Sequence, residues 1–166
     1  MKSKKFFIYL LVLVAILTFI FIYARPQNEN LPNRNSASTE TALAADRSSH
    51  DFGTISMKDG NVKTTFKVKN PTSKEITLNK LYTSCMCTEA KLIVGDKSEG
   101  PFGMLGHGFI PTFKQVLKPG DEAAIEVQFD PTAHGPAGVG AIEREIILEG
   151  SQGKLVSVTI RANVTP

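Results

Sequence analysis

Near its start the chain runs FFIYLLVLVAILTFIFIYA, opening at Phe6 and closing at Ala24, with Thr18 as the only clearly polar residue. A helix rising about 1.5 Å per residue makes a stretch of this length span the roughly 30 Å of a bilayer's hydrocarbon core. Inside lipid, only a helix or a closed barrel satisfies every backbone N–H and C=O. The stretch therefore reads as one transmembrane helix, and any globular fold must come from the residues after it. Lys2, Lys4 and Lys5 precede it, so the positive-inside rule keeps the N-terminus cytoplasmic and exports everything beyond Arg25. A cleaved secretory signal is the alternative, but it would have a shorter apolar region of about 7–15 residues with a small-x-small site after it. Here the stretch ends in Tyr23, Ala24, Arg25 and Pro26. The expectation is a single-pass membrane protein whose domain is periplasmic or extracellular, with secretion after cleavage as the alternative.

The pI of 8.9 reports this topology and not a polyanion partner. Removing Lys2, Lys4, Lys5 and Arg25 from the 19 basic residues leaves 15 against 16 acidic ones. No basic run remains beyond the anchor, which excludes nucleic acid as a ligand.

Residues 26–49 are polar and have Leu31 and Leu43 as their only large apolar side chains. Such a segment cannot bury enough surface to offset its conformational entropy, and it reads as a flexible linker. From residue 50 to residue 166 apolar residues recur with period two, the mark of strands with one buried face. Val62, Thr64, Phe66 and Val68 alternate with Lys63, Thr65, Lys67 and Lys69. Ile76 and Leu78 open another strand whose phase slips before Leu81, which suggests a bulge. Lys118-Pro119-Gly120-Asp121 turns the chain into Ala123, Ile125, Val127 and Phe129, and two further strands flank Gly150-Ser151-Gln152-Gly153. The predicted fold is all-β, an immunoglobulin-like β-sandwich of about seven strands. It is interrupted by an insertion at about residues 95–113, whose Phe102, Met104, Leu105, Phe109, Ile110 and Phe113 are expected to pack over one end.

His50-Asp51-Phe52-Gly53-Thr54-Ile55, the strand from Val62 to Asn70, Ser84-Cys85-Met86-Cys87-Thr88 and Lys118-Pro119-Gly120-Asp121 together resemble a bacterial domain-of-unknown-function family, number 1573. The resemblance extends over nearly all of residues 50–164. It implies an immunoglobulin-type sandwich, exported or membrane-anchored, with no activity attached. Relatives commonly place Gly between the two Cys, where this chain has Met86.

Cys85 and Cys87 are the two cysteines of the chain. In extended backbone an i, i+2 spacing puts both sulfurs on one face, as a two-thiolate clamp or as two buried thiols. A disulfide between Cys85 and Cys87 would need Cα atoms within about 6.8 Å, near the limit for extended chain. Met104 and His107 in the insertion and His134 in a Gly-rich loop add soft and imidazole donors, a mix that suits Cu(I), or Zn if two Cys and two His converge. Each histidine also has a structural reading: His50 as a strand-edge residue, His107 and His134 as loop residues bonded to backbone. Thiol–disulfide catalysis would require a cation or a helix N-terminus beside a thiolate, and no helical period appears after the anchor. A hydrolase has no Gly-x-Ser-x-Gly elbow to rest on. Two functional classes therefore remain. One is a non-enzymatic, membrane-tethered module that binds a protein or envelope component, for instance at an exposed strand edge. The other is a copper, zinc or thiol-redox site built from Cys85, Cys87, Met104, His107 and His134.

Overall fold

The computed structural model describes residues 42–107 and 111–166, together with Ile16, Thr18 and Phe19, which are helical. The expected membrane helix otherwise lies outside the described residues, as do residues 26–41 of the expected linker. Among the described residues no helix is long and apolar enough to cross a membrane. The chain divides into two units, Met1–Ser38 and Thr39–Pro166, and the second holds the globular fold.

Among its described residues that unit is all-β, with ten strands where about seven were expected. They are β1 (Ala44–Ala45), β2 (Ser49–Ser56), β3 (Val62–Lys69), β4 (Ile76–Thr83), β5 (Thr88–Val94), β6 (Lys97–Phe102), β7 (Gln115–Leu117), β8 (Glu122–Phe129), β9 (Gly140–Gly150) and β10 (Gly153–Thr165). They form two five-stranded sheets, ordered β1-β3-β8-β5-β6 and β2-β10-β9-β4-β7. Neighbours are antiparallel except β2 and β10, which run parallel. An immunoglobulin constant-type sandwich has sheets ordered A-B-E-D and C-F-G. Lettering β1, β3, β4, β5, β8, β9 and β10 from A to G reproduces both orders. The additional strands are β2, β6 and β7, each at a sheet edge.

Alternation in the sequence becomes burial in the fold. Phe66 and Val68 of β3 and Ile125, Val127 and Phe129 of β8 line the core from one sheet. Leu78, Leu81, Ile146, Leu148, Val158 and Ile160 line it from the other. The bulge expected before Leu81 is present as a register shift between Leu78 and Lys80. The turn Lys118-Pro119-Gly120-Asp121 closes with Asp121 N–H donating to the Lys118 carbonyl at 3.0 Å, and it needs Gly at its third position, where φ is 84°. Buried Asn70 ties this turn to its neighbour: its side-chain N–H groups donate to the carbonyls of Lys74 and Leu117, and its carbonyl accepts from Thr72 N–H and Oγ1–H.

Two boundaries differ from the sequence reading. The first half of the expected insertion is ordered as β6, whose Phe102 is buried with its ring 5.3 Å from that of Phe113. Leu105 is exposed, and Phe109 and Ile110 lie outside the described residues. The globular fold also begins earlier than His50. Ala44 and Ala45 pair with Lys69 and Val68, and Leu43 is 0% exposed in the core. One buried leucine is enough to draw the end of a polar segment into the sandwich. Leu43→Ala is therefore expected to destabilise the domain by about 2–5 kcal/mol, read as a lower midpoint in equilibrium urea unfolding followed by circular dichroism. An unchanged midpoint would put Leu43 outside the core.

Candidate metal centre

β4 lies in one sheet and β5 in the other, and Ser84-Cys85-Met86-Cys87 is all that connects them. The chain therefore crosses between sheets in a tight turn at one end of the sandwich. Thr88 N–H donates to the Cys85 carbonyl at 3.1 Å. The buried Thr83 hydroxyl lies 3.0 Å from the Cys85 carbonyl and 2.9 Å from that of Thr88. Ser84 fixes the turn to β9: its N–H donates to the Glu145 carbonyl, and its Oγ accepts from Glu145 N–H, both at 2.9 Å. The two sulfurs thus meet because the backbone turns, and not through the strand alternation that the spacing suggested. They lie 2.6 Å apart as free thiols, the Cys87 thiol donating to Cys85 Sγ. Met86 sits at the corner, 53% exposed.

A third donor comes from the loop after β8. Asp130 N–H donates to the Cys87 carbonyl at 2.8 Å, and Asp130 Oδ1 accepts from the N–H and hydroxyl of Thr132, closing an Asx turn. The chain doubles back with Gly135 N–H donating to the Thr132 carbonyl. This places His134 Nε2 3.1 Å from Cys85 Sγ. The donor atoms of Cys85, Cys87 and His134 all lie within 4.8 Å of one another.

The other residues singled out from the sequence sit elsewhere. Met104 runs alongside, its backbone bridging to Thr83. His107 is exposed, its N–H donating to the Met104 carbonyl, and its ring is not part of the three-donor group. His50 stacks edge-on against Phe52, with ring centroids 4.6 Å apart.

Arg144 is the participant that the sequence reading passed over. Its Nε donates to Cys87 Sγ at 3.3 Å and its Nη1 to the Glu143 carbonyl at 2.9 Å. The available signal was positional: Ile142, Arg144, Ile146 and Leu148 share one face of β9, and the other three are buried. An arginine on a core-facing row calls for a partner.

This setting separates the two thiols. Burial acts to push Cys85 up, but hydrogen bonds from the Cys87 side chain and backbone and from His134, with the Arg144 charge, outweigh it and bring the thiol down to about 7. Cys87 moves the other way, pushed up by its burial and then by its bond to Cys85, against hydrogen bonds to Arg144 and Thr88. A shallow cavity of about 120 Å³, lined by Asn61, Met86, Cys87, Glu89, Gln128 and Asp130, adjoins the pair.

By strand order the unit is a two-sheet sandwich of the immunoglobulin type, with a Cys-Met-Cys turn, a histidine and an arginine gathered at one end. The family expected from the motifs is found: the model described as "Protein of unknown function (DUF1573)" matches residues 43–98, a span that includes both cysteines. The match starts before His50 and stops well short of residue 164. No curated protein sequence matches the chain. Among solved structures, a protein of unknown function from Porphyromonas gingivalis W83 is similar at 15% identity and a TM-score of 0.53, over 74% of this chain and 46% of that one. The secreted serine protease VesC from Vibrio cholerae is similar at 14% identity and a TM-score of 0.47, over 77% of this chain and 25% of that one. A PapD-like domain of human CEP192 is similar at 11% identity and a TM-score of 0.42, over 75% and 86%. The chain thus spans under half of the first two, and at these identities the likeness is one of fold alone.

A pKa near 7 means that the Cys85 thiolate persists down to about neutral pH, whereas an ordinary thiol deprotonates near 8.5. Iodoacetamide is therefore expected to alkylate Cys85 first, with a rate midpoint near pH 7 that moves upward in His134→Ala. Cys87 should react only above the ordinary thiol range. Peptide mass spectrometry across a pH series checks this, and equal rates at both cysteines would contradict it.

Proposed function

We propose that this domain is a non-enzymatic module that holds a soft metal ion through Cys85, Cys87 and His134, displayed outside a membrane by the apolar stretch of residues 6–24. The observation that carries the reading is the convergence of two sulfurs and one imidazole nitrogen within 4.8 Å. Thiolate and imidazole are the donors preferred by Cu(I) and Zn. Metal–sulfur distances near 2.3 Å would require the sulfurs to part by roughly 1 Å, a rotation of one cysteine side chain in a turn whose backbone is already fixed. Cys85 is half-buried and His134 exposed, so an ion can enter from solvent. Met86, exposed at the corner, gives a protein or envelope partner a thioether through which to deliver or receive the ion.

The full chain, purified in detergent under anaerobic reducing conditions and offered Cu(I) or Zn before dialysis, is expected to retain one ion per chain. Replacing Cys85 and Cys87 with Ser should abolish retention, and His134→Ala should weaken it. Wild-type protein that retains neither ion would sink the reading.

A further inference from the structure

Among the described residues, none of the acidic side chains nearest the cysteine turn forms an ion pair with Arg144. On β9, Glu143 pairs with Arg161 at 2.7 Å and Glu145 with Lys154 at 3.9 Å. Asp130 accepts from Thr132 through Oδ1, and Glu89, which lines the small cavity beside Cys87, is exposed to solvent screening. Arg144 differs from the other arginines of the sandwich. Arg47 and Arg161 pair with carboxylates, whereas Arg144, among the described residues, forms no ion pair with a carboxylate. Its guanidinium bonds go to Cys87 Sγ and a backbone carbonyl. A half-buried guanidinium without a carboxylate counter-charge is costly, and the groups it faces are the two sulfurs. Guanidinium is always charged, so this is a fixed positive charge in the wall of the donor cluster.

We infer that the cluster is built for a monovalent soft ion, Cu(I), and that Arg144 is the positioning residue that sets this preference over divalent Zn. The inference rests on the metal-binding reading above and deepens it. Two thiolates and one guanidinium sum to one negative charge, which a monovalent ion cancels. A divalent ion leaves a net positive charge in a partly desolvated pocket. Arg144 repels a divalent ion about twice as strongly as a monovalent one at the same position, while its help in keeping the thiols deprotonated serves both ions equally. Donor number points the same way. Structural Zn sites take four protein ligands, and three converge here among the described residues. Cu(I) is satisfied by two or three soft donors.

The test compares Cu(I) and Zn affinities of the full chain in detergent, each measured anaerobically by competition with a chromophoric chelator. The ratio of the two affinities is the readout, so effects common to both ions cancel. Arg144→Gln is expected to lower the Cu(I)-to-Zn ratio about tenfold, and Arg144→Lys, which keeps the charge, to preserve most of it. Because Arg144 is half-buried, a second pair leaves it in place. Met86→Lys adds a positive charge at the exposed corner and should raise the ratio above that of Met86→Gln, which lacks the thioether equally. A ratio unchanged in Arg144→Gln, or one that falls from Met86→Gln to Met86→Lys, overturns the inference while leaving metal binding intact. Wild-type protein that binds neither ion overturns the reading beneath it instead.

Discussion

The Thr83 hydroxyl, buried where β4 leaves one sheet, is the point on which the cysteine turn depends. A chain that crosses between stacked sheets in four residues carries peptide carbonyls into the interior, where each lacks water and must find a donor. The hydroxyl sits between the Cys85 and Thr88 carbonyls and has one hydrogen to donate, while the Cys85 carbonyl also accepts from Thr88 N–H, so the crossing can be short. A short crossing in turn forces Cys85 and Cys87 to opposite ends of one tight bend, with their sulfurs in contact. Ser84 and Asp130 hold the bend from outside through backbone bonds to β9 and from the loop after β8. The donor cluster is thus a by-product of how the fold gets from one sheet to the other.

The same end of the sandwich gathers a guanidinium and an imidazole around the sulfurs from two directions. Arg144 arrives on an inward-facing row of β9, and His134 arrives from a loop closed by Asp130 and Thr132. Neither residue is near the cysteines in sequence. Their common effect is to hold electron-rich sulfur beside positive or hydrogen-bonding groups in a partly desolvated place, where each contact counts for more than it would in water. This asymmetry makes two chemically identical thiols behave differently, Cys85 drawn down and Cys87 pushed up.

Much of the fold could be read from the sequence because strand alternation is a local signal. The rows Phe66–Val68, Ile125–Val127–Phe129 and Val156–Val158–Ile160 are inward in the chain and in the fold. The edge strands were harder to see. β6 has the sequence KSEGPF, with one large apolar residue and a Gly-Pro pair, and nothing local distinguishes it from a loop until it pairs with β5. Leu43 was missed because a single leucine has no period. The pairing of Cys85 with Cys87 was legible from spacing, though its physical cause was a turn and not a strand. His134 was visible as a donor, but its choice over His107 depends on the loop after β8, which no motif encodes. Arg144 is the instructive omission. Its row on β9 marked it as inward-facing, and only the register of β4 against β9 reveals what it faces.

The parallel pairing of β2 with β10 has a mechanical consequence. The chain enters β2 at Ser49 beside Thr159 and leaves β10 at Thr165 beside Ser56. A pull between the segment ahead of β2 and the end of β10 would therefore draw these strands lengthwise past each other. Their hydrogen bonds would then share the load in shear, whereas an antiparallel terminal hairpin pulled from its open end would lose its bonds one at a time. A domain joined in this way resists extension along the line between its two ends, whatever it holds at the cysteine turn.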